Sequence, residues 1–256
     1  MSRVLVVVPF PMSEEQLALR ARQAREARLP DGMELVFRPV RVAPANYSSE
    51  HDSVFAEIAM IEAGMSAQED GFDAVCIDTM SDSGVAALRS MLDIPVVGPG
   101  RVSMTTAAML GERFSILMMW DRWRYLYKKN LAELGFGWRC ASMRSIGITP
   151  NNRSLLSGKE EEVFPLLLEA ARRCIDEDGA DVILLGSTTM HQAHEYLSRH
   201  LEVPVINPGP LSYRAVEQLL ALGLRQSRSA YPTSLQPQQA MLTDMVDAAL
   251  LQKGGA

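Results

Sequence analysis

Two stretches of this chain repeat one another in order and spacing, and that repeat restricts the fold more than any other feature. The first runs Gly71-Phe-Asp73-Ala-Val-Cys-Ile-Asp-Thr79 and leads through a helical stretch to Ile94-Pro-Val-Val-Gly-Pro-Gly100. The second runs Gly179-Ala-Asp181-Val-Ile-Leu-Leu-Gly-Ser187 and leads to Val203-Pro-Val-Ile-Asn-Pro-Gly209. Aspartate and hydroxyl residue lie six positions apart in both copies, and the spacing from hydroxyl to Pro-Val differs by one residue. The copies also open alike, with RVLVVVPF at 3–10 and RFSILMMW at 113–120. The expected organisation is a first α/β half over 1–112, a second over 113–209, and a terminal segment, 210–256, that packs back onto the first.

Within each copy, short apolar runs bounded by Gly, Pro and Asp alternate with stretches of helical spacing, the pattern of a mostly parallel sheet flanked by helices. Strands are expected at 4–8, 34–38, 74–78, 96–97, 114–119, 144–148, 182–185 and 205–206. Helices are expected at 14–28, 52–69, 83–91, 102–112, 121–134, 159–177, 190–200 and 211–222. Residues 227–238 are polar and carry Pro232 and Pro237, which reads as an irregular crossing before a last helix. The fold class is therefore α/β, two halves related by a pseudo-twofold axis with a cleft between them.

At 256 residues and 47% hydrophobic, the chain has enough apolar material for a large core. Its net charge of −6, without a long basic run, argues against a phosphate backbone or an anionic membrane surface as partner. The apolar run near the start spans Val4 to Pro9, too short for a signal peptide or a membrane span, so a cytoplasmic location is expected. Cys76, Cys140 and Cys174 lack metal-ligand spacing and read as buried thiols, with neither disulfide nor zinc.

In a parallel α/β sheet the ligand crevice lies at the carboxyl ends of the strands, and Thr79 and Ser187 stand at two such ends. Each precedes a helix whose free N–H groups favour an anion, so the loops are suited to a carboxylate or enolate oxygen. Ser81, Asp82 and Ser83 in one loop, and Thr188 and Thr189 in the other, add hydroxyl and carboxylate groups that either contact substrate or cap helices.

At these residues the sequence resembles the aspartate/glutamate/hydantoin racemase superfamily, closest to its hydantoin and allantoin racemase branch. The similarity rests on DAVCIDTMSDSGVAALR followed by PVVG, on TTAAMLGERFSIL, on GADVILLGSTTM followed by VPVIN, and on the late LLALGL. It implies a cofactor-independent enzyme in which one thiolate removes an α-proton and a second thiol returns it on the other face. Here the two thiol positions fall on Thr79 and Ser187. A hydroxyl is a far weaker acid than a thiol and needs an activating partner to act as base at neutral pH. Cys76 lies three residues before Thr79, within the expected strand.

Three readings of Ser187 stay open. It is an engineered replacement of a natural cysteine, in an enzyme that works with one thiol as decarboxylases and isomerases of the superfamily do. It is itself a nucleophile, activated by His191 or Asp78, in an amide or ring hydrolase. Or catalysis is lost and the cleft only binds its ligand. The first two place the reacting group at position 187.

His191, three residues before His194, is one residue short of the HExxH spacing, so a general acid/base role is preferred to metal binding. Arg122 matches a substrate loop of the hydantoin type and offers a two-pronged grip on a carboxylate. Trp120 offers a ring to stack on. Asn207, closing VPVIN, and Pro11, in the loop that mirrors Arg122, complete the substrate-binding candidates. The expected partner is a small carboxylate or cyclic amide, with neither nucleic acid nor membrane, and the apolar helices leave a homo-oligomer open.

Overall fold

The computed structural model describes residues 1–151, 156 and 158–253. Among them the first half runs β1 (Ser2–Val8), α1 (Glu14–Ala21), β2 (Met33–Pro39), α2 (Glu50–Gly64), β3 (Ala74–Ile77), α3 (Val85–Met91), β4 (Val96–Val97) and α4 (Pro99–Leu110). The second runs β5 (Phe114–Met118), α5 (Arg124–Leu134), β6 (Cys140–Ser145), α6 (Glu160–Asp176), β7 (Val182–Leu185), α7 (His194–His200), β8 (Val205–Ile206) and α8 (Pro208–Ala221). A last helix, α9 (Gln239–Lys253), lies along α2.

Two four-stranded sheets result, ordered β2-β1-β3-β4 and β6-β5-β7-β8, with every neighbouring pair parallel. The central strands are apolar on both faces because helices cover both: Val4 to Val8 and Val182 to Leu185 have no exposed surface. Burying each such side chain contributes about 1.5–3 kcal/mol.

The closing helices are exchanged between the halves. Met104 and Ala107 of α4 pack in the core of the second sheet, with Ile116, Leu117 and Leu184. Tyr213 and Val216 of α8 pack on the first sheet, against Val4, Val6, Cys76 and Val97. Helices α4 and α8 also touch each other. Both start on a proline, Pro99 and Pro208, whose missing N–H costs nothing at a first helical position. For α4 this sets the start three residues before the expected position.

Other expectations shift for local reasons. Strand β6 begins at Cys140 because Phe114 pairs with it there, and ends before Gly147, which takes φ +76. The helix expected over 14–28 becomes a 3-10 turn over Arg22–Ala27 and stops at Arg28, which adopts φ 46. The one expected over 190–200 opens as a 3-10 segment, Thr188–Ala193. Among the described residues no helix is long and apolar enough to cross a membrane.

Candidate active site

Strand β3 ends at Ile77 and β7 at Leu185, so Thr79 and Ser187 each stand two residues beyond a central strand. The residue before Ser187 has to be glycine: a Cβ on Gly186 would lie 2.7 Å from the Tyr127 hydroxyl and 2.8 Å from the Leu117 carbonyl. The Tyr127 hydroxyl donates to the Gly186 carbonyl at 2.6 Å, which fixes this strand end.

The two hydroxyls have matching neighbours. Thr79 Oγ1 lies 3.2 Å from Ser81 Oγ, and Ser187 Oγ lies 2.8 Å from Thr189 Oγ1. Ser187 Oγ also accepts the Thr189 N–H at 3.2 Å, so it heads the 3-10 segment as its cap. Both hydroxyl residues line one cavity, together with Ser81, Thr188 and Thr189. Phe10 and Tyr47 also line it, their rings 5.1 Å apart, and the Tyr47 hydroxyl donates to the Pro9 carbonyl at 3.1 Å. The cavity volume is about 30 Å³, enough for water but not for an organic ring.

Arg20 reaches the same cavity from α1. Its Nε donates to Asp78 Oδ2 at 2.6 Å, and its Nη2 donates to the Asp78 carbonyl at 3.1 Å and to Thr188 Oγ1 at 2.6 Å. Gln23 Nε2 donates to both Asp78 oxygens at 3.2 Å, and Thr188 Oγ1 donates to the Asp78 carbonyl at 3.1 Å. This buried network ties the end of β3 to the loop after β7. One donor is left over: Arg20 Nη1 is buried without a hydrogen-bond partner among the described residues.

Six of the residues singled out in the sequence thus meet at the cavity: Asp78, Thr79, Ser81, Ser187, Thr188 and Thr189. The others lie elsewhere. Asp82 adopts φ 53 and accepts the N–H groups of Gly100 and Arg101, both at 2.7 Å, so it caps α4. Burial pushes its carboxyl up to about 6, against the pull of those N–H groups. Ser83 lies behind Ser81, with the two oxygens 2.7 Å apart.

His191 is buried, but its Nδ1 lies 2.8 Å from Glu26 Oε1. Asn207 Nδ2 donates to the other oxygen of Glu26 at 2.7 Å. Neither His191 nor Asp78 bonds to Ser187, so the activation expected of them has no geometry behind it. Arg122 is exposed over the Trp120 ring, which is half-buried, and Pro11 is exposed; none of the three lines the cavity. Among the described residues no cluster of His, Cys, Asp and Glu could hold a metal ion.

A family model for Asp/Glu/hydantoin racemases matches residues 11–216. The chain belongs to the Asp/Glu/hydantoin racemase family. A hydantoin racemase of Paenarthrobacter aurescens is 31% identical over 189 residues, 73% of this chain and 78% of that protein. One of Pseudomonas sp. (strain NS671) is 29% identical over 190 residues, 73% of this chain and 74% of its own. An allantoin racemase from Klebsiella pneumoniae superposes with a TM-score of 0.83 at 27% identity, covering 94% of this chain and 99% of that one.

In this member of the family no thiol lines the cavity. The Cys76 thiol donates to Ser212 Oγ at 3.3 Å beneath α8, and burial pushes it up to about 12. Burial also raises Cys140, to about 11, and Cys174. None of the three is placed or charged to exchange a proton with a ligand between Thr79 and Ser187.

Arg20 and Tyr47 escaped the sequence reading, and Asp78 entered it only as an activator of Ser187. Arg20 sits in RARQAREAR, a basic run that reads as a solvated helix face. The available signal was the i, i+3, i+7 stripe of Arg20, Gln23 and Ala27, which turns inward.

Proposed function

We propose that this chain is a cofactor-independent enzyme that acts on a small cyclic amide or ureide, or a small carboxylate, at a carbon next to a carbonyl. The reaction is centred on Ser187 and does not follow the two-thiol racemase course. In this reading the halves 1–112 and 113–209 each contribute one wall of the site, with the segment from 210 packed on the first.

The observation that carries the reading is the pairing of Thr79 and Ser187 on the lining of one cavity that no thiol lines. Ser187 meets the reacting centre from one wall and Thr79 from the other. Arg20 Nη1, a buried donor with no partner among the described residues, takes up charge on the carbonyl oxygen as the neighbouring carbon becomes carbanionic. Because Asp78 already balances the guanidinium, the site offers a fixed dipole and suits a substrate oxygen whose charge develops during reaction. The hydantoin and allantoin racemases to which the chain is similar support the choice of cyclic ureides. Hydrolysis by an activated serine finds no support, since the Ser187 hydroxyl bonds only to Thr189 among the described residues.

The test is incubation with hydantoins, allantoin, arylmalonates and cyclic imides in D2O, followed by NMR and mass spectrometry. Turnover or deuterium uptake at the activated carbon of one class, lost in Ser187→Ala, is expected. No reaction with any of them, alongside tight retention of a ligand, would establish a binding protein instead.

A further inference from the structure

We propose that Glu26 is a positioning residue for Ser187, holding the 3-10 segment that this serine heads against the first half of the chain. The inference rests on the reading above, in which Ser187 meets the reacting carbon. Residues three apart in a 3-10 segment lie one above the other, so Thr188 and His191 share one face of Thr188–Ala193. Both are buried, at 1% and 6% exposure. That face is gripped twice from the first half. Arg20 Nη2 donates to Thr188 Oγ1 at 2.6 Å, and Glu26 Oε1 lies 2.8 Å from His191 Nδ1. Ser187 moves with the segment, because its carbonyl accepts the Met190 N–H at 3.1 Å and its hydroxyl accepts the Thr189 N–H at 3.2 Å.

A carboxylate only accepts, so the His191 ring keeps its proton on Nδ1 and donates it to Glu26. The ring has no other hold: its Nε2 is buried without a hydrogen-bond partner among the described residues. The carboxylate is itself fixed, since its second oxygen accepts from Asn207 Nδ2 at 2.7 Å, and Asn207 stands at the head of α8. The Glu26 side chain is 37% exposed, so its loss admits water instead of emptying the core. What is lost is the second grip. The Ser187 hydroxyl then spreads over a range of positions, and a misplacement of about 1 Å is enough to cost a large part of the rate.

The test is amide hydrogen exchange read by mass spectrometry on wild type, Glu26→Ala and Glu26→Gln, with kcat and KM for deuterium uptake at C5 of 5-benzylhydantoin measured in parallel. The side-chain amide of Glu26→Gln still accepts from His191 and donates to the Asn207 oxygen once that amide turns over, so both bonds survive. Glu26→Ala should speed exchange over Thr188–Ala193 by about tenfold or more, leave β7 unchanged, and lower kcat by about tenfold with KM little altered. Glu26→Gln should match wild type in each. Wild-type exchange over Thr188–Ala193 in Glu26→Ala would overturn the proposal, as would an unchanged kcat in a segment that has loosened. So would equal loosening in Glu26→Gln, or faster exchange shared by β7, which would assign the effect to the fold as a whole. If the segment loosens only in Glu26→Ala but wild type takes up no deuterium at C5, the hold on Ser187 stands and the carbon-acid reading of the site fails.

Discussion

Arg20 Nε lies 2.6 Å from Asp78 Oδ2, with the two side chains 2% and 1% exposed, and this pair joins helix α1 to the strand end that carries Thr79. Removing one member leaves the other charged and buried. Arg20→Ala and Asp78→Ala should each destabilise the fold by about 3–5 kcal/mol. In urea unfolding, a loss below about 1 kcal/mol in either would mean that the pair is solvated, as exposed pairs are.

The three cysteines should resist alkylation in the native state. Burial holds the Cys76 thiol up to about 12 and the Cys140 thiol up to about 11, so almost no thiolate is present near pH 8. Mass spectrometry after iodoacetamide treatment should find Cys76 unmodified until the chain is unfolded. Rapid labelling of Cys76 in the folded protein would place it at a site the fold does not give it.

Asp82 should impose a pH dependence on stability. Its carboxyl is held up to about 6 when folded, above its ordinary value near 3.8 in the unfolded chain. The folded state therefore binds more protons in that interval, and stability should fall as pH rises from about 4 to about 6 and level off above it. Asp82→Asn should remove this slope from a series of urea midpoints. Wild type and Asp82→Asn changing in parallel over the interval would contradict the burial of this group.

The sequence disclosed what repetition and strand chemistry encode. Because Thr79 and Ser187 hold equivalent places in two copies, their convergence followed from the parallel-sheet topology alone. The packing of α4 on the second sheet was not legible, since an amphipathic helix does not state which sheet it covers. Asp82 looked like a substrate ligand because it lies in the same loop as Thr79; only the approach of the Gly100 and Arg101 N–H groups turns it toward α4. His191 follows Ser187 closely in sequence, yet the 3-10 turn carries its ring to Glu26. Arg20 lies 58 residues from Asp78 and 168 from Thr188, a separation that no local pattern spans.

The central claim is that Thr79 and Ser187 occupy the two thiol positions of a racemase. It is tested most directly by following the optical activity of an enantiopure 5-substituted hydantoin with wild type, each single cysteine variant and Thr79→Cys/Ser187→Cys. The double variant should racemise the hydantoin at least about tenfold faster than wild type or either single variant, because only it carries an acid and a base on opposite faces. A correctly folded double variant that is no faster than wild type would contradict the claim.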